Sequence, residues 1–119
     1  MNATVHEHFI FIVVAKMVGR RELTMINNVR DFVMTRGIAN EIENGTISIN
    51  GIEDSISRFL NEDWGNICEE DKLANANDIN NIYCILLGSY EVNNHDIWII
   101  ANAIDETSRV VTVLFPSEY

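Results

Sequence analysis

Residues 82–115 read IYCILLGSYEV, NNHD, IWIIANAI, DETS and RVVTVLF in succession. Three apolar, β-branched and aromatic runs alternate with two short polar links, the pattern of consecutive strands joined by turns. Links this short suit antiparallel neighbours. Ile82–Val92, Ile97–Ile104 and Arg109–Phe115 are therefore expected to form an antiparallel meander. Ile97–Ile104 is apolar on both faces, so it should be the central strand, covered on both sides. Gly88 is expected to mark a bulge. Pro116 cannot donate to a ladder and should end the last strand.

Upstream, Val29–Met34 fits a short strand broken at Thr35-Arg36-Gly37, and Ile38–Ile42 fits one helical turn. Ile52, Ile56, Phe59 and Leu60 then recur at helical spacing and make one apolar stripe. Asn50 is the expected N-cap, with Glu53 three residues later in capping-box spacing. Glu53, Asp54 and Arg58 should face water. Asn61–Gly65 leads to a second, polar helix with Asn66 as its expected cap. Glu69, Glu70 and Asp71 crowd its first turn, where the helix dipole favours negative charge, and Lys72 is spaced to pair with Glu69. The fold expected is α+β: an antiparallel sheet of three to five strands, with two or three helices packed on one face.

A chain of 119 residues suits one domain. Its expected extent is 25–119. Gly19-Arg20-Arg21 is what a ribosome-binding site encodes when read in frame, and it stands three codons before Met25. Residues 1–24 thus read as a translated leader, or alternatively as an extra N-terminal strand at Phe9–Val14. The apolar run Phe9–Val18 is interrupted by Lys16 and is too short for a bilayer span of about 20 residues. It lacks the features of a secretory signal. A cytoplasmic protein with no membrane contact is expected. Cys68 and Cys84 suggest no disulfide framework and are expected to be free and buried.

The formal net charge is −10, unevenly spread: residues 1–60 carry six Lys/Arg and seven Asp/Glu, and residues 61–119 carry two and eleven. Such a surface repels phosphates, which disfavours direct nucleic-acid binding and favours a basic protein surface. The simpler alternative is that the acids keep the protein soluble.

The residue types that carry chemistry are sparse. His6 and His8 form a His-x-His pair with no further ligand nearby, so zinc is not expected. His95 falls in a turn. The acids after Trp64 match no calcium loop and are cheaply explained by a helix N-terminus. There is no nucleophile elbow and no Gly-rich phosphate loop. No metal, cofactor or enzymatic activity is expected. Trp64 itself could anchor its loop in the core or present a ring to a partner.

Four segments occur in order: Val33-Met34-Thr35-Arg36-Gly37-Ile38; Asp63-Trp64-Gly65 with Cys68-Glu69-Glu70-Asp71-Lys72; Ile97-Trp98-Ile99-Ile100; and Thr112-Val113-Leu114-Phe115-Pro116-Ser117-Glu118-Tyr119. Together they resemble a family of small "plasmid-related" proteins of bacterial conjugative elements and phages. The similarity covers roughly Val29 to Tyr119. The chain departs from that pattern in a longer, more apolar link at Ala101–Ser108. The resemblance implies a counter-defence protein of a mobile element, an anti-CRISPR being one form, that inhibits a host immune component by binding it.

The expected contact face is acidic and comprises Glu62, Asp63, Trp64, Glu69, Glu70 and Asp71, with a basic host defence protein as partner. One alternative is sequestration of a nucleotide signal through Arg36, Trp64, Tyr90 and Trp98, against which the shortage of cations argues. Another is a homo-oligomer, such as a homodimer paired through a sheet edge.

Overall fold

The computed structural model describes Ile26 and residues 28–119. The leader or strand expected in residues 1–24, its His6 and His8, and the start at Met25 lie outside the described residues.

The described chain runs β1 (Val29–Met34), α1 (Arg36–Glu43), α2 (Ile49–Leu60), α3 (Glu69–Asp78), β2 (Leu86–Val92), β3 (His95–Ala103), β4 (Arg109–Leu114) and a 3-10 turn at Pro116–Glu118. The strands form one sheet in the order β1-β4-β3-β2. The fold is α+β, and the antiparallel meander β2-β3-β4 is present. β1 joins it parallel to β4, which makes the sheet mixed. β3 lies inside the sheet and is apolar on both sides, with Ile97, Ile99 and Ala101 buried toward one face and Ile100 toward the other.

One face carries the core. Met34, Leu86, Tyr90, Ile97, Ile99, Val111 and Val113 meet Ile38 and Ala39 of α1 and Ile52, Ile56, Phe59 and Leu60 of α2. Each fully buried Ile or Phe contributes roughly 1.5–3 kcal/mol of transfer free energy, so the α2 stripe is the main attachment of helix to sheet.

The element ends differ from expectation for local reasons. Ser48, not Asn50, caps α2, its hydroxyl accepting from the Gly51 N–H at 3.1 Å. The helix therefore starts earlier, and Glu53 is 3% exposed instead of facing water. Cys68, not Asn66, stands at the N-cap of α3, and Asn66 donates its backbone N–H to Ser89. Thr35 caps α1 and extends the expected single turn to eight residues. β2 begins at Leu86 because Asn81 holds the preceding residues in turns, its Oδ1 accepting from the Tyr83 N–H and its carbonyl from the Cys84 N–H. The ladder passes through Gly88 without a bulge. Gly88 instead makes room for the Tyr90 hydroxyl and the Phe59 ring, where a Cβ would intrude. The Asn93-Asn94 turn has φ of 51° and 68°, the left-handed pair of a tight hairpin, so His95 and Asp96 already belong to β3. Both cysteines are free, but Cys68 is exposed and Cys84 half-buried, which corrects the expectation of burial.

Candidate functional site

The Asp63-Trp64-Gly65 corner is built by the C-terminus of α2. The Asp63 N–H donates to the Arg58 carbonyl at 2.8 Å. Arg58 returns its Nε and Nη2 to the two carboxylate oxygens of Asp63 at 2.7 and 3.2 Å. The bond from Arg58 is the main reason the Asp63 carboxyl lies below the usual carboxylate range, with the Gly65 N–H assisting. The Arg58 guanidinium also sits 5.0 Å from the Tyr90 ring centroid, a cation–π distance. The Tyr90 hydroxyl donates to the Asp63 carbonyl at 2.7 Å. Burial, then the Asp63 charge, raises the Tyr90 phenol well above its ordinary value, so it stays a donor.

Trp64 is 5% exposed and meets the Phe59 ring edge-on at 5.4 Å. It anchors the corner in the core. Its carbonyl accepts from the Ser89 N–H at 3.0 Å, and the Asn66 N–H donates to the Ser89 carbonyl at 2.7 Å. The corner thus pairs with the outer edge of β2. Two residues along the strand, the Asn75 amide donates to the Leu87 carbonyl at 2.7 Å and accepts from the Leu87 N–H at 3.4 Å. A sheet edge left open is a template for further strands; here Leu87 and Ser89 are already satisfied.

Outside this strap the carboxylates face water. Glu70 and Asp71 are exposed, and Glu69 is 89% exposed while it pairs with Lys72 at 3.1 Å. Glu62 is half-buried. Asp63 is thus fixed at the corner, while Glu69, Glu70 and Asp71 are exposed in the first turn of α3, whose Lys72 is near enough for its charge to act on Asp63. Among the described residues no group of three or more His, Cys, Asp or Glu is placed to hold a metal ion.

Arg36, Trp64, Tyr90 and Trp98 are not brought together. Arg36 is exposed at the start of α1, while Trp64 and Tyr90 are in the core. Trp98 alternates with Ile97, the partner of Tyr90, and so lies on the opposite face of the sheet, where it meets the Tyr119 ring at 5.8 Å.

No family model matches the chain, and no curated protein or solved structure matches it. What the chain can bind is set by its own surface. No helix among the described residues is long and apolar enough to cross a membrane.

Reading Tyr83 as a strand residue hid a second feature. Tyr83 is 66% exposed and lines a groove of about 480 Å³ with Asp105, Glu106 and Thr107. Asn81, a turn-forming residue just before the apolar run, was the signal that could have placed Tyr83 outside the strand. A second groove of about 500 Å³ lies on the outer sheet face between Ile100, Asn102, Val110, Thr112 and Tyr119.

Proposed function

We propose that this protein acts by binding a basic protein surface through the acidic corner around Trp64 and the start of α3. The observation that carries this reading is the exposed run Glu69-Glu70-Asp71 at the start of α3, which follows a corner fixed by Arg58, Tyr90 and Ser89. Exposed carboxylates give charge-assisted bonds and fast, salt-sensitive encounter with Arg or Lys. The resemblance to plasmid-related proteins supports a cytoplasmic counter-defence setting in a bacterial host. There the partner would be a host immune protein whose cationic nucleic-acid groove the acids occupy, offering carboxylates where phosphates would sit; an anti-CRISPR is one form of such a protein. Sequestration of a nucleotide has less support, because Trp64 and Tyr90 are committed to the core.

Binding to candidate defence nucleases should weaken steeply with salt, and the charge reversals Glu69→Lys and Glu70→Lys should abolish it. Salt-independent binding, or binding unaffected by both reversals, would sink the proposal.

A further inference from the structure

The groove beside Tyr83 has a chemistry distinct from the α3 corner. The groove is shallow and open, lined by the exposed Tyr83 and by the turn residues Asp105, Glu106 and Thr107. Ile104, 38% exposed, adjoins that turn. We propose that this groove seats an arginine side chain of the basic partner, with the guanidinium stacked on Tyr83 and bonded to Glu106. The inference rests on the reading of the chain as a binder of basic surfaces, and it names the residue that the partner inserts.

Both sides of the groove are held in place. The Tyr83 N–H is fixed by Asn81, whose carbonyl is bound in turn by the buried Arg109 at 2.9 Å. Asp105 accepts from the Thr107 N–H at 2.9 Å, which shapes the turn. That bond first, and those from the Thr107 and Ser108 side chains and the Ser108 N–H, keep the Asp105 carboxyl below its ordinary range, so it remains charged. Among the described residues Arg30 is the cation already on this turn, 3.4 Å from Asp105, and Glu106 makes no ion pair. Glu106 is thus open to an incoming cation.

The charge of the groove selects a cation, and its exposed aromatic ring selects which one. Guanidinium is planar, weakly hydrated and able to stack while its edge bonds a carboxylate; an ammonium is a strongly hydrated point charge. A Tyr ring is also a frequent centre of binding energy at interfaces.

The test uses the full chain with fluorescein-labelled hexa-arginine and hexa-lysine peptides, read by anisotropy at low salt. Hexa-arginine should bind about two- to five-fold tighter, the ratio expected of an exposed cation–π contact. Tyr83→Ala should remove that preference and leave hexa-lysine binding unchanged, and Glu106→Gln should weaken the arginine peptide more than the lysine peptide. Both side chains are exposed, so both variants should fold, which circular dichroism checks. Equal affinity for the two peptides, or a preference that survives Tyr83→Ala, overturns the arginine seat. If the two peptides bind equally but only while Glu69 and Glu70 are intact, the acidic-corner reading stands and the arginine seat alone falls. If neither peptide binds, both fall.

Discussion

The Tyr90 hydroxyl donates to the backbone carbonyl of Asp63 at 2.7 Å, across 27 residues of sequence. This bond joins the middle of β2 to the corner after α2, and the Arg58 guanidinium covers the same ring. Tyr90→Phe keeps the ring, its packing and the cation–π contact but leaves the Asp63 carbonyl without this donor. The expected loss is about 1 kcal/mol, seen as a lower denaturation midpoint with an unchanged slope.

Gly65 is the position where the corner tolerates no side chain. Its φ is +75°, and an added Cβ would collide with the Ser89 carbonyl oxygen and crowd the Tyr90 ring. The neighbouring backbone cannot yield without breaking the bonds between Trp64, Asn66 and Ser89. Gly65→Ala should therefore cost more than about 2 kcal/mol, beyond the conformational term alone. Gly45→Ala is the control: its φ is +79° with nothing within 4 Å, so it carries the conformational term without a clash. Thermal denaturation of the two variants separates steric from backbone strain.

Asn75 guards the other half of the β2 edge. Asn75→Ala frees the N–H and carbonyl of Leu87, to which the amide is bonded at 3.4 and 2.7 Å. The loss should be about 1–2 kcal/mol, with faster amide exchange at Leu87. An open edge also invites pairing between copies, so light scattering should show concentration-dependent association absent from the parent protein.

The parts of this fold that sequence reveals are those carried by local pattern. The runs at Ile97–Ile104 and Arg109–Phe115 mark β3 and β4, and the stripe from Ile52 to Leu60 marks the buried face of α2, because periodicity depends on near neighbours. The start of β2 was hidden, since Ile82–Ile85 is as apolar as a strand and only the bonds to Asn81 show that it turns. The burial of Glu53 and the parallel entry of β1 beside β4 depend on contacts distant in sequence. The corner divides the same way: the acids at Glu69–Asp71 are plain in the sequence, but the anchoring of Trp64 is settled by Ser89, far along the chain. Tyr83 and Asp105 line one groove only once the turns before β2 and after β3 are folded.

Acid should act on the corner through Asp63. Its folded-state carboxyl titrates below the ordinary value, chiefly because Arg58 bonds it. A depressed folded value means that the ion pair contributes fully above the unfolded pKa of about 3.9 and that its contribution is lost as pH falls below it. Protonation of other carboxylates meanwhile relieves repulsion in a chain of net charge −10. The difference between parent and Asp63→Asn isolates the pair: the two stabilities should differ at neutral pH by about 1 kcal/mol or less, as for exposed pairs, and converge once the pH has fallen through the depressed folded-state value. A gap that persists there would show that the carboxylate charge is not what Arg58 stabilises.

Arg109 presents the opposite balance. It is 3% exposed, burial lowers its pKa, and its Nη2 donates to the carbonyls of Ile79 and Asn81 at 3.1 and 2.9 Å. Ile79 is the C-cap of α3, where the helix dipole favours a cation. Two bonds from a charged donor favour keeping the arginine, but its buried Nε lacks a partner and the charge is costly to desolvate. Arg109→Met fills similar space, removes that desolvation cost and leaves both carbonyls bare. The bonds are each worth about 1.5–3 kcal/mol and the relief offsets part of them, so a net loss of about 1–3 kcal/mol is expected. The same change unpins the loop at Asn81, so limited proteolysis should cut faster between Ile79 and Ile85 than in the parent. Loss of stability without faster cutting there would mean that Arg109 supports β4 and not the Tyr83 loop.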